Sequence, residues 1–157
     1  MKKLNLLRLL LSVFAMAAVL SSCKKDESFS QVTVFERGIH EAINDHRVSV
    51  SKPEMVLQFL MIDDAQSASA KLANGTVTGI EPIVASLRAL QTDLGGTASS
   101  VWTVQCQYEN VDSVMSIVLG NAEIKATIEG NFNQSAVGAV KDKDGIFHIT
   151  HFLMLIP

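Results

Sequence analysis

The segment Ser135-Ala136-Val137-Gly138-Ala139-Val140, continued by Lys141-Asp142-Lys143-Asp144-Gly145 and then Ile146-Phe147-His148-Ile149-Thr150-His151-Phe152-Leu153-Met154-Leu155-Ile156, decides the fold. Two apolar, β-branched runs flank a short polar stretch ending in Asp-Gly, a pair that readily takes the positive φ of a tight turn. The spacing predicts a terminal hairpin, with strands over 135–140 and 146–156. Upstream, Val101 to Tyr108 alternates, with Trp102, Val104, Cys106 and Tyr108 on one side and Val101, Thr103, Gln105 and Gln107 on the other. That period of two marks a half-buried strand able to pair with the hairpin.

Everything between these strands and the start of the domain runs at helical period. Val32, Phe35, Ile39 and Ile43 form a first stripe, which Ser51-Lys52-Pro53 interrupts because proline restricts its predecessor and lacks a donor. A second helix is predicted from Met61 to Ala73, with Ile62, Ala65, Ser69 and Leu72 on one face and Asn74-Gly75 as its exit. Its small residues imply close packing. Pro82 opens a third helix carrying Ile83, Leu87 and Leu90, which stops before Gly95-Gly96. Asp112 is placed as the cap of a further helix bearing Val114, Ile117 and Val118, whose face continues through Ile124 and Ile128 to Gly130. Helices first and a terminal hairpin paired with an earlier strand give an α+β domain, with a small antiparallel sheet covered by helices.

The chain has 157 residues, 48% of them hydrophobic and 18% charged, which suits one folded domain and excludes two large ones. After position 22 come ten basic and sixteen acidic residues, a net charge of −6. An acidic body is a poor partner for nucleic acid, whose phosphates need clustered Lys and Arg. Residues 1–22 read as a signal peptide: Lys2, Lys3 and Arg8 precede an apolar stretch from Leu9 to Leu20, too short for a lone membrane span.

Leu20-Ser21-Ser22-Cys23 resembles the lipobox of bacterial lipoproteins, which implies that Cys23 is acylated and becomes the new N-terminus. Residues 23–31 then form a lipidated tether and 32–157 the domain. Lys24-Lys25-Asp26-Glu27 resembles the lysine-plus-acidic signal that sends lipoproteins of some Gram-negative bacteria to the cell surface, and it reads equally well as a solvated linker. The expected location is the outer membrane or cell surface. With Cys23 lipidated, Cys106 has no partner in the chain and is most simply a small buried hydrophobe.

Catalytic and metal signatures are sparse. His148 and His151 are three apart on a strand, which sends them to opposite faces, and His40 and His46, six apart on a helix, also diverge. All four are read as satisfied surface or boundary histidines. No G-x-S-x-G elbow is present, Gly95-Gly96 lacks the rest of a phosphate loop, and Asp63-Asp64 and Asp142-x-Asp144 lack the other positions of a calcium loop.

Read in order, residues 35–155 resemble the CAP superfamily, also called SCP-like or cysteine-rich secretory protein domains. Ile43-Asn44-Asp45-His46-Arg47 is similar to the first-helix H-N-x-x-R pattern, Ala65 to Gly75 to the small-faced second helix, and Glu109-Asn110-Val111 to G-E-N-[ILV], with Tyr108 replacing the glycine. Ile124 to Gly130 resembles the G-H-R-x-N-I-x-G stretch, and Val137-Gly138 with the last strand resembles the family's terminal hairpin. The resemblance implies an α-β-α sandwich and a cavity built from two histidines and two acidic or polar residues. In this chain those positions are Ile80, Glu109, Asn121 and Ile124. Isoleucine has no lone pair, so the expectation is a metal-free, cofactor-free and degenerate cavity without a general base. Glu109 either lines that pocket or fixes the loop after the 101–108 strand. The function so implied is a non-catalytic binding module, with the membrane as one partner and an apolar small molecule or a protein as another. The alternatives are a residual hydrolase acting on peptide or cell-wall material through Glu109, and a purely structural surface lipoprotein.

Overall fold

Thr33 converts an extended chain into the first helix. Its hydroxyl accepts from Glu36 N at 3.1 Å while the Glu36 carboxylate accepts from Thr33 N at 2.8 Å, a reciprocal capping box. The computed structural model describes residues 31–157. Five helices and four strands are described: α1 (Val34–Ser49), β1 (Val56–Leu57), α2 (Phe59–Ala73), α3 (Glu81–Asp93), β2 (Ala98–Cys106), α4 (Val111–Gly120), α5 (Ala122–Ile128), β3 (Gln134–Lys141) and β4 (Phe147–Leu155). None of the described helices is long and apolar enough to cross a membrane.

The sheet order is β1-β3-β4-β2. Both β2 and β3 run antiparallel to β4, whereas β1 pairs in parallel with β3, Val56 opposite Gln134. The sheet is therefore mixed, where a wholly antiparallel one was expected. Two residues that follow a proline give no alternation from which to recognise β1.

Alternation along β4 splits the apolar side chains into two cores, one on each side of the sheet. Phe147, Ile149 and Leu153 join Trp102, Cys106 and Val137 beneath Phe35, Ile39 and Ile43 of α1, Val114 and Val118 of α4 and Ile128 of α5. Phe152 and Met154 join Ala136 beneath Met61, Ile62, Ala65 and Ala68 of α2 and Ile83 and Leu87 of α3. The result is a helix–sheet–helix sandwich, an α+β architecture. On the second face the backbones of α2 and β3 nearly touch: a Cβ on Gly138 would lie 2.2 Å from Ala65 O, and Ser69 Oγ donates to Gly138 O at 2.8 Å.

Several boundaries move for local reasons. Val32 precedes the capping box and packs on the second core instead of opening the helix. Asn110, not Asp112, caps α4, its Oδ1 accepting from Ser113 N at 2.8 Å. Asn121 accepts from both Glu123 N and Ile124 N, so the helix expected to run to Gly130 is cut in two. The chain leaves the β2 ladder after Cys106, which turns Tyr108 out to solvent, 65% exposed.

Candidate functional site

The polar side of α1 holds an ordered chain of buried hydrogen bonds. Met55 N donates to Asn44 Oδ1 at 2.9 Å, and Asn44 Nδ2 donates to Met55 O at 2.9 Å, which fixes the orientation of the amide. The second hydrogen of Nδ2 faces His40 Nε2 at 3.2 Å. Nε2 must therefore be the acceptor, and Nδ1 carries the proton that reaches Ser135 Oγ at 2.9 Å. Burial lowers the pKa of His40, with Glu41 and Glu54 pulling the other way, so the imidazole is held neutral. Ser135 is wholly buried. The Ser-His-Asn series thus ties α1 to β3 and leaves no hydroxyl that a substrate could reach.

Above this seam opens a hollow of about 460 Å³ lined by Arg37, His40, Glu41, Asn44, Asp45 and Glu54, with Val56, Leu57 and Phe59 on its apolar side. Val56, Phe59 and Leu60 are each about 60% exposed, an apolar rim beside an acidic wall. The volume falls in the range of small-ligand sites. A cleft between α2 and α3, with Asp64 and Lys71 at its mouth, encloses only about 50 Å³. Burial raises the pKa of Asp64, Asp63 adding to the shift and Lys71 opposing it.

Arg47, 1% exposed, spends its guanidinium on backbone carbonyls: Nε donates to Pro53 O at 2.8 Å, one terminal nitrogen to Ile128 O and to Gly130 O at 3.0 Å, and the other to Phe132 O at 3.0 Å. A positive charge there also faces the negative end of α5. The other histidines separate as their spacing required. His46 pairs with Glu129 at 2.9 Å, and His148 pairs with Asp142 at 3.0 Å on the α2 side of the sheet. The hydrogen bond from His148 is the main reason that the Asp142 carboxyl titrates below its usual value. His151 differs from the satisfied boundary residue expected. It is fully buried on the α1 side, edge-on to Trp102 at 5.0 Å between centroids, and neither ring nitrogen has a partner among the described residues. Burial, with His40 and Arg47 adding, lowers its pKa to about 3.

The four cavity positions inferred from the resemblance fall into different layers. Ile80 is the half-buried N-cap of α3, whose helix packs on the second core. Ile124 is half-buried against the first core, and Asn121 is the exposed cap between α4 and α5. Glu109 is exposed, and it is Asn110 that braces the following turn. None of the four lines the hollow beside α1 or the cleft between α2 and α3. Among the described residues no group of three or more His, Cys, Asp or Glu is placed to hold a metal ion. Cys106 is buried, its Sγ 3.2 Å from Tyr108 O. Cys23, residues 1–22 and most of the tether lie outside the described residues. Sequence reasoning missed the α1 hollow because its walls come from α1 and from the 54–59 segment, which no motif marks.

No family model matches the sequence, and no curated protein matches it. Solved structures do match. An outer surface protein of Borrelia burgdorferi superposes with a TM-score of 0.69 at 11% identity, over 81% of this chain and 96% of its own. An extracellular protein containing an SCP domain, from Bacillus anthracis, gives 0.62 at 13% identity over 77% of this chain, and a cysteine-rich secretory protein from Staphylococcus aureus gives 0.58 at 12% over 80%. This chain spans only about two fifths of the length of the latter two, 40% and 39%. Residues 31–157 therefore have the CAP-like fold that the order of motifs implied.

Proposed function

We propose that this chain is a lipid-anchored, envelope-facing CAP-like domain that acts as a non-catalytic binding module, with the hollow beside α1 as its binding surface. The observation that carries the reading is the composition of that hollow, a buried and fully bonded polar floor between an acidic wall and an apolar rim. Such a surface recognises a ligand by shape and charge. Of the hydroxyl and imidazole groups at its floor that could take part in bond breaking, Ser135 is covered and both nitrogens of His40 are engaged. The lipobox-like segment supports the anchor, and the structural neighbours, one an outer surface protein and one an extracellular protein, agree with export of this chain.

The test is an NMR titration of the protein with apolar and cationic small ligands and peptides, alongside hydrolysis assays on peptide and cell-wall substrates. Saturable shifts centred on His40, Val56 and Phe59 with no turnover are expected. Turnover that disappears in Glu109→Gln would overturn the reading in favour of a hydrolase, and no saturable ligand would leave a structural protein.

A further inference from the structure

The two edges of the sheet are treated differently. On one side, β3 is closed by β1, with Gln58 N donating to Ser135 O at 2.8 Å, and by Glu36, whose Oε1 accepts from Ala139 N at 2.9 Å. Odd-numbered residues of β3 thus turn their backbone groups outward and even-numbered ones face β4. The same parity runs across the sheet. Met154 O accepts from Asn133 N on the β3 side, and Leu155 O accepts from Thr97 N on the β2 side. The odd residues of β4 therefore bond to their β2 partners Ala98, Ser100, Trp102, Val104 and Cys106. Ser99, Val101, Thr103 and Gln105 are left pointing their N–H and C=O groups away from the sheet, and no hydrogen bond reaches those groups from the described residues.

Folded proteins blunt such an edge with Lys, Pro, a bulge or a covering segment. Ala98-Ser99-Ser100-Val101-Trp102-Thr103-Val104-Gln105-Cys106 contains no charged residue and no proline, and it keeps one register with β4 throughout. The strand is also self-complementary. A two-fold axis through Trp102 sets Val101 against Thr103 and Ser99 against Gln105 of a second copy, so every outward group meets a partner and no like charges face each other. Registers shifted along the strand leave some of these groups unpaired.

We infer that β2 pairs antiparallel with β2 of a second copy of this chain, joining two four-stranded sheets into one of eight strands. The inference does not rest on the binding role of the α1 hollow. In the same register, Ser100 and Val104 of the two copies form a non-hydrogen-bonded pair, with Cβ atoms about 4.5–5.5 Å apart, close enough for a disulfide after small adjustment.

The experiment uses the full chain in its native membrane, with Cys106→Ala removing the competing thiol. Chains carrying Ser100→Cys and Val104→Cys are co-expressed and oxidised, and the background without an added cysteine reports any bridge through Cys23. A disulfide-linked dimer is expected from the mixed pair, little from either variant alone, and none from Val56→Cys on the opposite edge. Thr103→Pro should abolish the crosslink while retaining the fold, since the N–H it removes faces away from β4. If that variant unfolds, Thr103→Lys, which sets two positive charges beside the seam, serves instead. Absence of the mixed dimer, equal yield at Val56, or crosslinking to a protein of different mass would overturn the inference.

Discussion

His151 is a buried imidazole with no hydrogen-bond partner among the described residues, and its cost depends on pH. The unfolded chain protonates this imidazole near 6.5, while the folded chain holds it neutral down to about 3. Below 6.5 the unfolded state takes up a proton that the native state refuses, so stability falls as pH drops toward 3, by about 1.4 kcal/mol per unit. Between pH 7 and pH 5 this one group should remove about 2 kcal/mol, and His40, shifted the same way by burial, adds to the trend. His151→Leu should raise stability at pH 7 and flatten the acid limb, which urea unfolding at the two pH values would measure. Arg47 stands at the opposite extreme, a buried charge whose three nitrogens all donate to carbonyls. Removing it orphans carbonyls at the end of α5 and in the loop that follows, so Arg47→Ala should cost about 3 kcal/mol or more by the same assay. Arg47→Lys should not rescue it, because an ammonium cannot reach carbonyls arranged around a planar fork. The sequence motif flagged Arg47, but nothing local separated a histidine that staples α1 to β3 from one buried without partners. That distinction depends on which strand residue lies 95 positions away.

The elements were legible where one periodicity dominated. The terminal hairpin, the α1 stripe and the small face of α2 follow from side chains that repeat on a single face, and each occurs within a few residues of its expected limits. β1 was not, since two residues carry no period and its pairing is decided by β3 far along the chain. The break between α4 and α5 was hidden because Ile124 and Ile128 stay in phase with the preceding helix, while the Asn121 side chain supplies a second cap. Asn121→Ala should lose about 1 kcal/mol, read from thermal or urea unfolding, as two amides at the start of α5 lose their acceptor. A harsher result is expected where α2 meets β3. A methyl at Gly138 would collide with the backbone of Ala65 rather than with a flexible side chain, so the helix must lift off the sheet. Gly138→Ala should therefore cost several times what Ser69→Ala costs, the latter losing one hydrogen bond of about 1 kcal/mol. Equal melting temperatures for the two variants would contradict that packing.

Across the whole molecule, the sandwich puts its helices over both faces of a short sheet. Three of the four positions that the family resemblance singled out act here as caps or packing residues, and the hollow with mixed chemistry lies at α1. Pattern alone could locate the layers but not the hollow, because a concave surface is a relation between segments, here residues 37–45 and 54–59. The proposed anchor rests on the lipobox-like segment ending at Cys23. One acyl chain gives marginal membrane binding, whereas two or more, at about 0.8 kcal/mol per buried methylene, hold a protein of net charge −6 against the repulsion of an acidic surface. Labelling cells with an alkyne fatty acid should mark the wild-type chain strongly. If Cys23 is the lipidated residue as proposed, the label should vanish in Cys23→Ala and the protein should migrate as the uncleaved precursor. Label retained in Cys23→Ala would place the lipid elsewhere, and an unlabelled wild type of mature size would mean an ordinary secreted domain whose concentration at the membrane owes nothing to acylation.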